Sequence, residues 1–197
     1  MNDAAALILA STSPYRKQLL GRLGLPFAVV APQVEETPLP GEEAEQLARR
    51  LSEAKAQEVA MRHPQAWVIG SDQVAELDGR IFGKPGSAAG AVEQLQTLSG
   101  RQVRFWTGLC LCNHSRQITL LEMATFDVRF RPLSQKEIVT YVERDQPFNC
   151  AGSFRSEGLG IALFEEMIGP DPSILMGLPL IRLCHLLSQV GMPVLDP

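Results

Sequence analysis

A chain of 197 residues with 18 Lys and Arg against 22 Asp and Glu carries a formal charge of −4, which excludes a broad basic surface for nucleic acid. With 45% hydrophobic and 20% charged residues it is neither a disordered acidic tail nor a coiled coil. Its length suits a single domain, residues 1–197, able to bury roughly 70% of its unfolded surface.

No run of about 18 apolar residues is present, which argues against a membrane helix, and Met1-Asn2-Asp3 lacks the positive start of a signal peptide. Cys110, Cys112, Cys150 and Cys184 show no C-x-x-C spacing, and His63, His114 and His185 have no ligand spacing with them. Reduced thiols in a cytoplasmic protein are expected, without a zinc site.

In chain order, Leu7 to Ala10 is a short apolar run ending in Ser11-Thr12-Ser13-Pro14, and Leu19, Leu20 and Leu23 then recur at helical spacing. This predicts strand, polar turn and helix, closed by Gly24. Phe27 to Ala31 is a second strand. Gly41-Glu42-Glu43 opens a long helix with Leu47, Leu51, Ala54 and Val59 on one side, stopped at His63-Pro64. Trp67 to Gly70 predicts a third strand, and Val74 to Phe82 two short strands around an Asp78-Gly79 turn, before a helix from Ser87 to Leu98.

Arg101 to Cys112 and Gln117 to Arg129 are rich in Val, Phe, Leu and Thr and predict a long antiparallel pair, with Cys110 and Cys112 on one face. Ser134-Gln135-Lys136-Glu137 is a capping-box start for a helix reaching Glu143. A glycine-bearing loop from Gly152 to Gly160, a strand at Ile161 to Phe164 and a helix around Leu180 to Leu187 complete the chain. Strands alternating with helices, followed by a sheet-rich half, predict an α/β fold: a mixed, partly antiparallel elongated sheet flanked by helices.

Three segments carry residues suited to chemistry. Ser11-Thr12-Ser13-Pro14-Tyr15-Arg16 is either a phosphate cradle, with free backbone N–H groups, hydroxyls and a guanidinium, or an ordinary serine cap. Asp72, just past an apolar strand, is either a metal ligand and water activator or a turn aspartate. Glu35, Lys55 and Lys84 are each able to reach the same pocket mouth, or are solvated charges. The loop Ala151 to Gly158 reads a base edge through Glu157 or is a structural turn. Gly79 to Lys84 fails as a Walker loop because the spacing is one short and Pro85 replaces Ser or Thr. Gly158-Leu159-Gly160 lacks the third glycine of a dinucleotide fingerprint, and there is no Gly-x-Ser-x-Gly elbow.

Taken together, the dispersed motifs Ser11-x-Ser13-Pro14-x-Arg16, Gly70-x-Asp72, Gly83-Lys84-Pro85 and Gly177-Leu178-Pro179 resemble the Maf family of nucleotide pyrophosphatases in content and order. Ser71-Asp72-Gln73-Val74 and Cys150 to Gly158 resemble the branch that hydrolyses 7-methyl-GTP, rather than the dTTP/UTP branch with its Ala-Asp-Thr-Val. Tyr15 departs from the indole common at its position.

The resemblance implies a nucleotide cleft between two lobes and release of diphosphate from modified or non-canonical nucleoside triphosphates. It implies Asp72 as catalytic proton acceptor and Tyr15, Gln73 and Glu157 as determinants of substrate preference. Phosphate contacts are expected from Ser11, Ser13, Arg16, Lys55 and Lys84, and a divalent cation, Mg2+ or Mn2+, on Glu35 and Asp72. No organic cofactor, nucleic acid or membrane partner is expected, and a homodimer is implied. A nucleotide-binding regulator of cell division is the alternative of a different class.

Overall fold

The computed structural model describes residues 6–195. Seven strands form one mixed sheet in the order β2-β1-β3-β5-β6-β7, with β4 paired to β3. The strands are β1 (Leu7–Ala10), β2 (Phe27–Val30), β3 (Trp67–Leu77), β4 (Arg80–Phe82), β5 (Gln102–Asn113), β6 (Ile118–Phe130) and β7 (Phe164–Ile168). The α-helices are α1 (Pro14–Gly21), α2 (Ala44–Arg62), α3 (Ala88–Leu98), α4 (Gln135–Asp145) and α5 (Leu180–Gln189). The mixed α/β architecture expected from the sequence is therefore present. Among the described residues no helix is long and apolar enough to cross a membrane.

β1 runs parallel to β2 and β3, whereas β3, β5, β6 and β7 pair antiparallel. Alternation sorts the buried side chains onto two faces. Leu7, Leu9, Ile69, Leu109 and Leu111 face α1 and α5, and Ile8, Ala10, Val68, Cys110 and Cys112 face α2. A third cluster joins α3 and α4 to the far end of the long hairpin through Phe105, Phe126, Val128 and Phe130. Phe154 ties the following loop to it, edge to face with Phe105 at 5.4 Å and with Phe164 at 4.7 Å.

Two elements differ from the sequence reading. β3 is one eleven-residue strand that does not stop at Gly70, so Asp72 lies inside a strand rather than after one. The polar Ser71-Asp72-Gln73 resembles a turn in sequence, but β5 continues to pair with it from Val68 to Glu76. β1, in contrast, ends at Ala10 opposite Gly70, so Asp72 lies two residues beyond the end of its neighbour. The last strand is Phe164–Ile168, not Ile161 to Phe164; Leu159–Leu163 forms a tight 3-10 turn instead. The pairing of β7 with Asp127 to Phe130 selects the Phe-Glu-Glu-Met-Ile segment as the edge strand, with a register shift between Arg129 and Phe130.

α2 lies unusually close to the sheet, because glycines at two neighbouring positions leave room for its backbone. A Cβ at Gly70 would lie 2.3 Å from the Ser52 carbonyl oxygen, and one at Gly108 2.3 Å from Ser52 Oγ. Gly108 stands opposite Asp72 in the β3–β5 ladder. The buried stripe of α2 therefore includes Lys55, while Ala54, expected on that stripe, is only half-buried.

Candidate active site

The turn after β1 is organised by its own hydroxyls. Ser11 Oγ accepts from Ser13 N at 3.0 Å, and Ser13, the N-cap of α1, accepts from Arg16 N at 3.4 Å. Pro14 occupies the first helical turn. Arg16 then turns inward and donates from Nε to the Gly177 carbonyl at 2.8 Å. Gly177 has φ +89°, a left-handed conformation, and a Cβ there would meet Arg16 Nε at 3.0 Å. The glycine of the Gly-Leu-Pro motif is thus the seat of the arginine of the Ser-x-Ser-Pro-x-Arg motif. Burial works to lower the Arg16 pKa, and the charges of Asp72 and Glu36 oppose it.

Asp72 is 8% exposed and Lys55 4% exposed. Lys55 Nζ lies 2.6 Å from Asp72 Oδ1 and 2.6 Å from Glu36 Oε1, so one buried ammonium bridges two carboxylates. Burial alone would raise the Glu36 carboxyl, but its hydrogen bond to Lys55 and the charges of Lys55, Lys84 and Arg16 hold it below the usual carboxylate value. Opposite charges nearby favour the ionised form of a carboxyl, and that is what keeps Glu36 low despite partial desolvation.

The opposite wall comes from the second half of the chain. The Arg155 guanidinium carbon lies 5.7 Å from the Tyr15 ring centroid, and its Nε is 3.4 Å from Glu157 Oε1. Tyr141 anchors this loop by donating from its hydroxyl to Asp145 at 2.9 Å and accepting from Arg155 N at 3.0 Å. Burial first, then the neighbouring Cys150 and Glu157, raises the Tyr15 pKa, so the phenol stays protonated beside them. Gln73 donates from Nε2 to the Ile174 carbonyl at 2.5 Å and lies 3.1 Å from Thr107 Oγ1, which fastens the 3-10 turn Pro172–Met176 to β3.

Of these residues, Tyr15, Arg16, Glu36, Lys55, Asp72, Gln73, Glu157 and Gly177 line one cleft of about 630 Å³. Ser11, Ser13 and Lys84 line it too, so the two serines, the three cations and Asp72 share one cleft with Tyr15, Gln73 and Glu157. Glu35 is not among them. Its carboxylate accepts from the Thr37 backbone N–H at 3.0 Å and from the Thr37 hydroxyl, which lowers its pKa, and it faces solvent. Glu36, one residue on, faces the cleft instead; no periodic signal in this proline-rich stretch distinguishes the two. Gly108 also escaped the sequence reading, since its use is apparent only once β5 is paired with β3.

Among the described residues no group of three or more His, Cys, Asp and Glu side chains is arranged to hold a metal ion. The donor set is two carboxylates, Asp72 and Glu36, beside open cleft. That set suits a hard cation of the magnesium type, which takes one or two carboxylates together with substrate phosphate oxygens.

The fold and cleft define an α/β protein with a lysine-bridged carboxylate pair and three cations in one cleft. A family model described as Maf-like protein matches residues 6–190, and the chain belongs to that family. It is 54% identical over 189 residues to a 7-methyl-GTP pyrophosphatase of Nitrosococcus oceani, covering 96% of this chain and 95% of the relative. Proteins of the same name from Vibrio vulnificus and Pseudomonas aeruginosa are 52% and 50% identical, over 96% and 95% of this chain and 97% and 98% of their own lengths.

Proposed function

We propose that this protein is a nucleoside triphosphate pyrophosphatase that hydrolyses 7-methyl-GTP to the nucleoside monophosphate and diphosphate, a house-cleaning activity in the cytoplasm. The observation that carries the reading is the buried Asp72 carboxylate, 2.6 Å from Lys55, on the floor of a cleft that Arg16 and Lys84 also line. Relatives at 50–54% identity that bear this activity in their names support it.

In this reading Asp72 takes the proton of a water that attacks the α-phosphorus, and the pair of electrons in the bond to the β-phosphate bridging oxygen leaves with diphosphate. Arg16 and Lys84 meet the charge that develops on the leaving group. Ser11 and Ser13 offer hydroxyls, and the start of α1 offers backbone N–H groups, to phosphate oxygens. Lys55 holds Asp72 in place through its 2.6 Å contact.

Arg16, Lys55 and Lys84 are matched by Asp72, Glu36 and Glu157 in the cleft lining, which leaves no positive surplus against the several charges of a triphosphate. A divalent cation, Mg2+ or Mn2+, held by Asp72 and Glu36 with the substrate, would supply the missing neutralisation. Glu36 here takes the part that the sequence reading gave to Glu35.

N7-methylation makes guanine cationic, which suits the face of Tyr15 and the Glu157 carboxylate. Each is worth on the order of 1 kcal/mol in such a setting. The experiment is a diphosphate-release screen over 7-methyl-GTP, GTP, dTTP and UTP, with and without Mg2+ or Mn2+. The highest kcat/KM is expected for 7-methyl-GTP with metal. A preference for dTTP and UTP would transfer the protein to the other branch, and binding without release from any triphosphate would favour a regulatory role.

A further inference from the structure

Ser71 has no part in the chemistry above, yet it is fully buried between Gly70 and Asp72. On a strand its side chain points to the face opposite Asp72. There its Oγ lies 2.8 Å from the Gly177 carbonyl and 2.7 Å from the Gly108 carbonyl, sharing one proton between the two. The Gly177 carbonyl is the same oxygen that receives Arg16 Nε at 2.8 Å. One carbonyl therefore joins β3 to the guanidinium, across 106 residues on one side and 161 on the other. Gly177 itself ends the turn Pro172–Met176 at φ +89°, a junction whose peptide orientation is set by what grips its oxygen.

We infer that Ser71 is a positioning residue: by fixing the Gly177 carbonyl it aims the Arg16 guanidinium into the cleft. The inference rests on the reading that Arg16 holds substrate phosphate. With Nε engaged by Gly177, the terminal nitrogens are the ones left to face the ligand, and their direction follows the carbonyl. The strand does not depend on the hydroxyl. Ser71 is paired with Leu109 through the backbone ladder, and an alanine at 71 leaves the Gly177 carbonyl with Arg16 as its donor. The hydroxyl thus serves orientation more than folding.

The test is a double-mutant cycle on kcat/KM for diphosphate release from 7-methyl-GTP, using Ser71→Ala, Arg16→Lys and the double variant. Arg16→Lys keeps a cation but cannot grip Gly177 and present a guanidinium fork at once. Ser71→Ala is expected to lower kcat/KM about tenfold, the scale of one oriented hydrogen bond, and the double variant to match Arg16→Lys within about twofold. If Ser71→Ala costs as much in the Arg16→Lys background as in the native one, the positioning role is overturned while the phosphate reading stands. If Arg16→Lys alone leaves kcat/KM unchanged, the phosphate reading fails and takes the positioning role with it. Should Ser71→Ala not fold, Ser71→Cys, similar in size and a weaker donor, replaces it in the same cycle.

Discussion

At the residue scale the central object is the Lys55 ammonium between Asp72 and Glu36. Breaking a buried ion pair is costly when it leaves an uncompensated charge. Here removal of either carboxylate leaves Lys55 with the other at 2.6 Å, so the site tolerates changes that an isolated pair would not. Asp72→Asn keeps the shape and a hydrogen-bond acceptor but loses the basic carboxylate. Turnover is expected to fall about 10² to 10⁴-fold with nucleotide binding retained, measured by diphosphate release and by calorimetry. Unchanged release would remove Asp72 from the chemistry. Glu157→Ala is expected to lower the ratio of kcat/KM for 7-methyl-GTP over GTP about fivefold, the equivalent of about 1 kcal/mol. A constant ratio would exclude the carboxylate from base selection. Most of these residues were legible in the sequence because several motifs, each weak alone, occur in a fixed order. Glu36 was not, since choosing between adjacent acids requires knowing which one the chain turns toward Lys55.

At the scale of elements, local chemistry and tertiary pairing divide the labour. The start of α4 is local. Ser134 N donates to Glu137 Oε2 at 2.8 Å, Ser134 Oγ accepts from Glu137 N at 3.3 Å, and Arg131 adds an ion pair at 2.8 Å. The bond from Ser134 N foremost, then one donated by the Ser134 hydroxyl to Glu137 Oε2 at 2.7 Å and the Arg131 contact, depress the Glu137 pKa from 4.5 to about 2. A depressed carboxyl stabilises the fold above its unfolded pKa and stops doing so as pH falls through the folded one. Wild type is therefore expected to melt above Glu137→Gln by a constant margin from pH 7 to about 5, a margin that closes between 4.5 and about 2. Thermal melts across that range check it; a margin insensitive to acid would show that the charge contributes nothing. This helix was readable because its signal lies within four residues. β3 was not readable past Gly70, because only β5, about forty residues on, tells Ser71-Asp72-Gln73 to stay extended. The same dependence moved the last strand to Phe164–Ile168, where β6 supplies the partner.

At the scale of the whole molecule, a chain with a net charge of −4 gathers Arg16, Lys55 and Lys84 in one cleft. The average charge describes the chain as a whole and says nothing about such a local gathering. The cleft draws its lining from two stretches, Ser11 to Lys84 and Asn149 to Gly177, and the Gly177 carbonyl receives Arg16 Nε. A bound nucleotide would bridge segments far apart in sequence, so its binding energy counts against unfolding of the whole sheet rather than of one loop. A ligand that binds only the folded state at one hundred times its Kd stabilises by about 2.7 kcal/mol. For a chain of this length that corresponds to a rise in Tm of about 5 to 10 °C. The Asp72→Asn variant allows the measurement without turnover: with 7-methyl-GTP at that ratio, the melt is expected to shift upward as a single transition. GTP at the same concentration is expected to give a smaller shift, because it brings no cationic ring to Tyr15 and Glu157. Equal shifts for the two would place discrimination in the chemical step, and a melt that splits into two transitions would mean that the two walls of the cleft unfold separately.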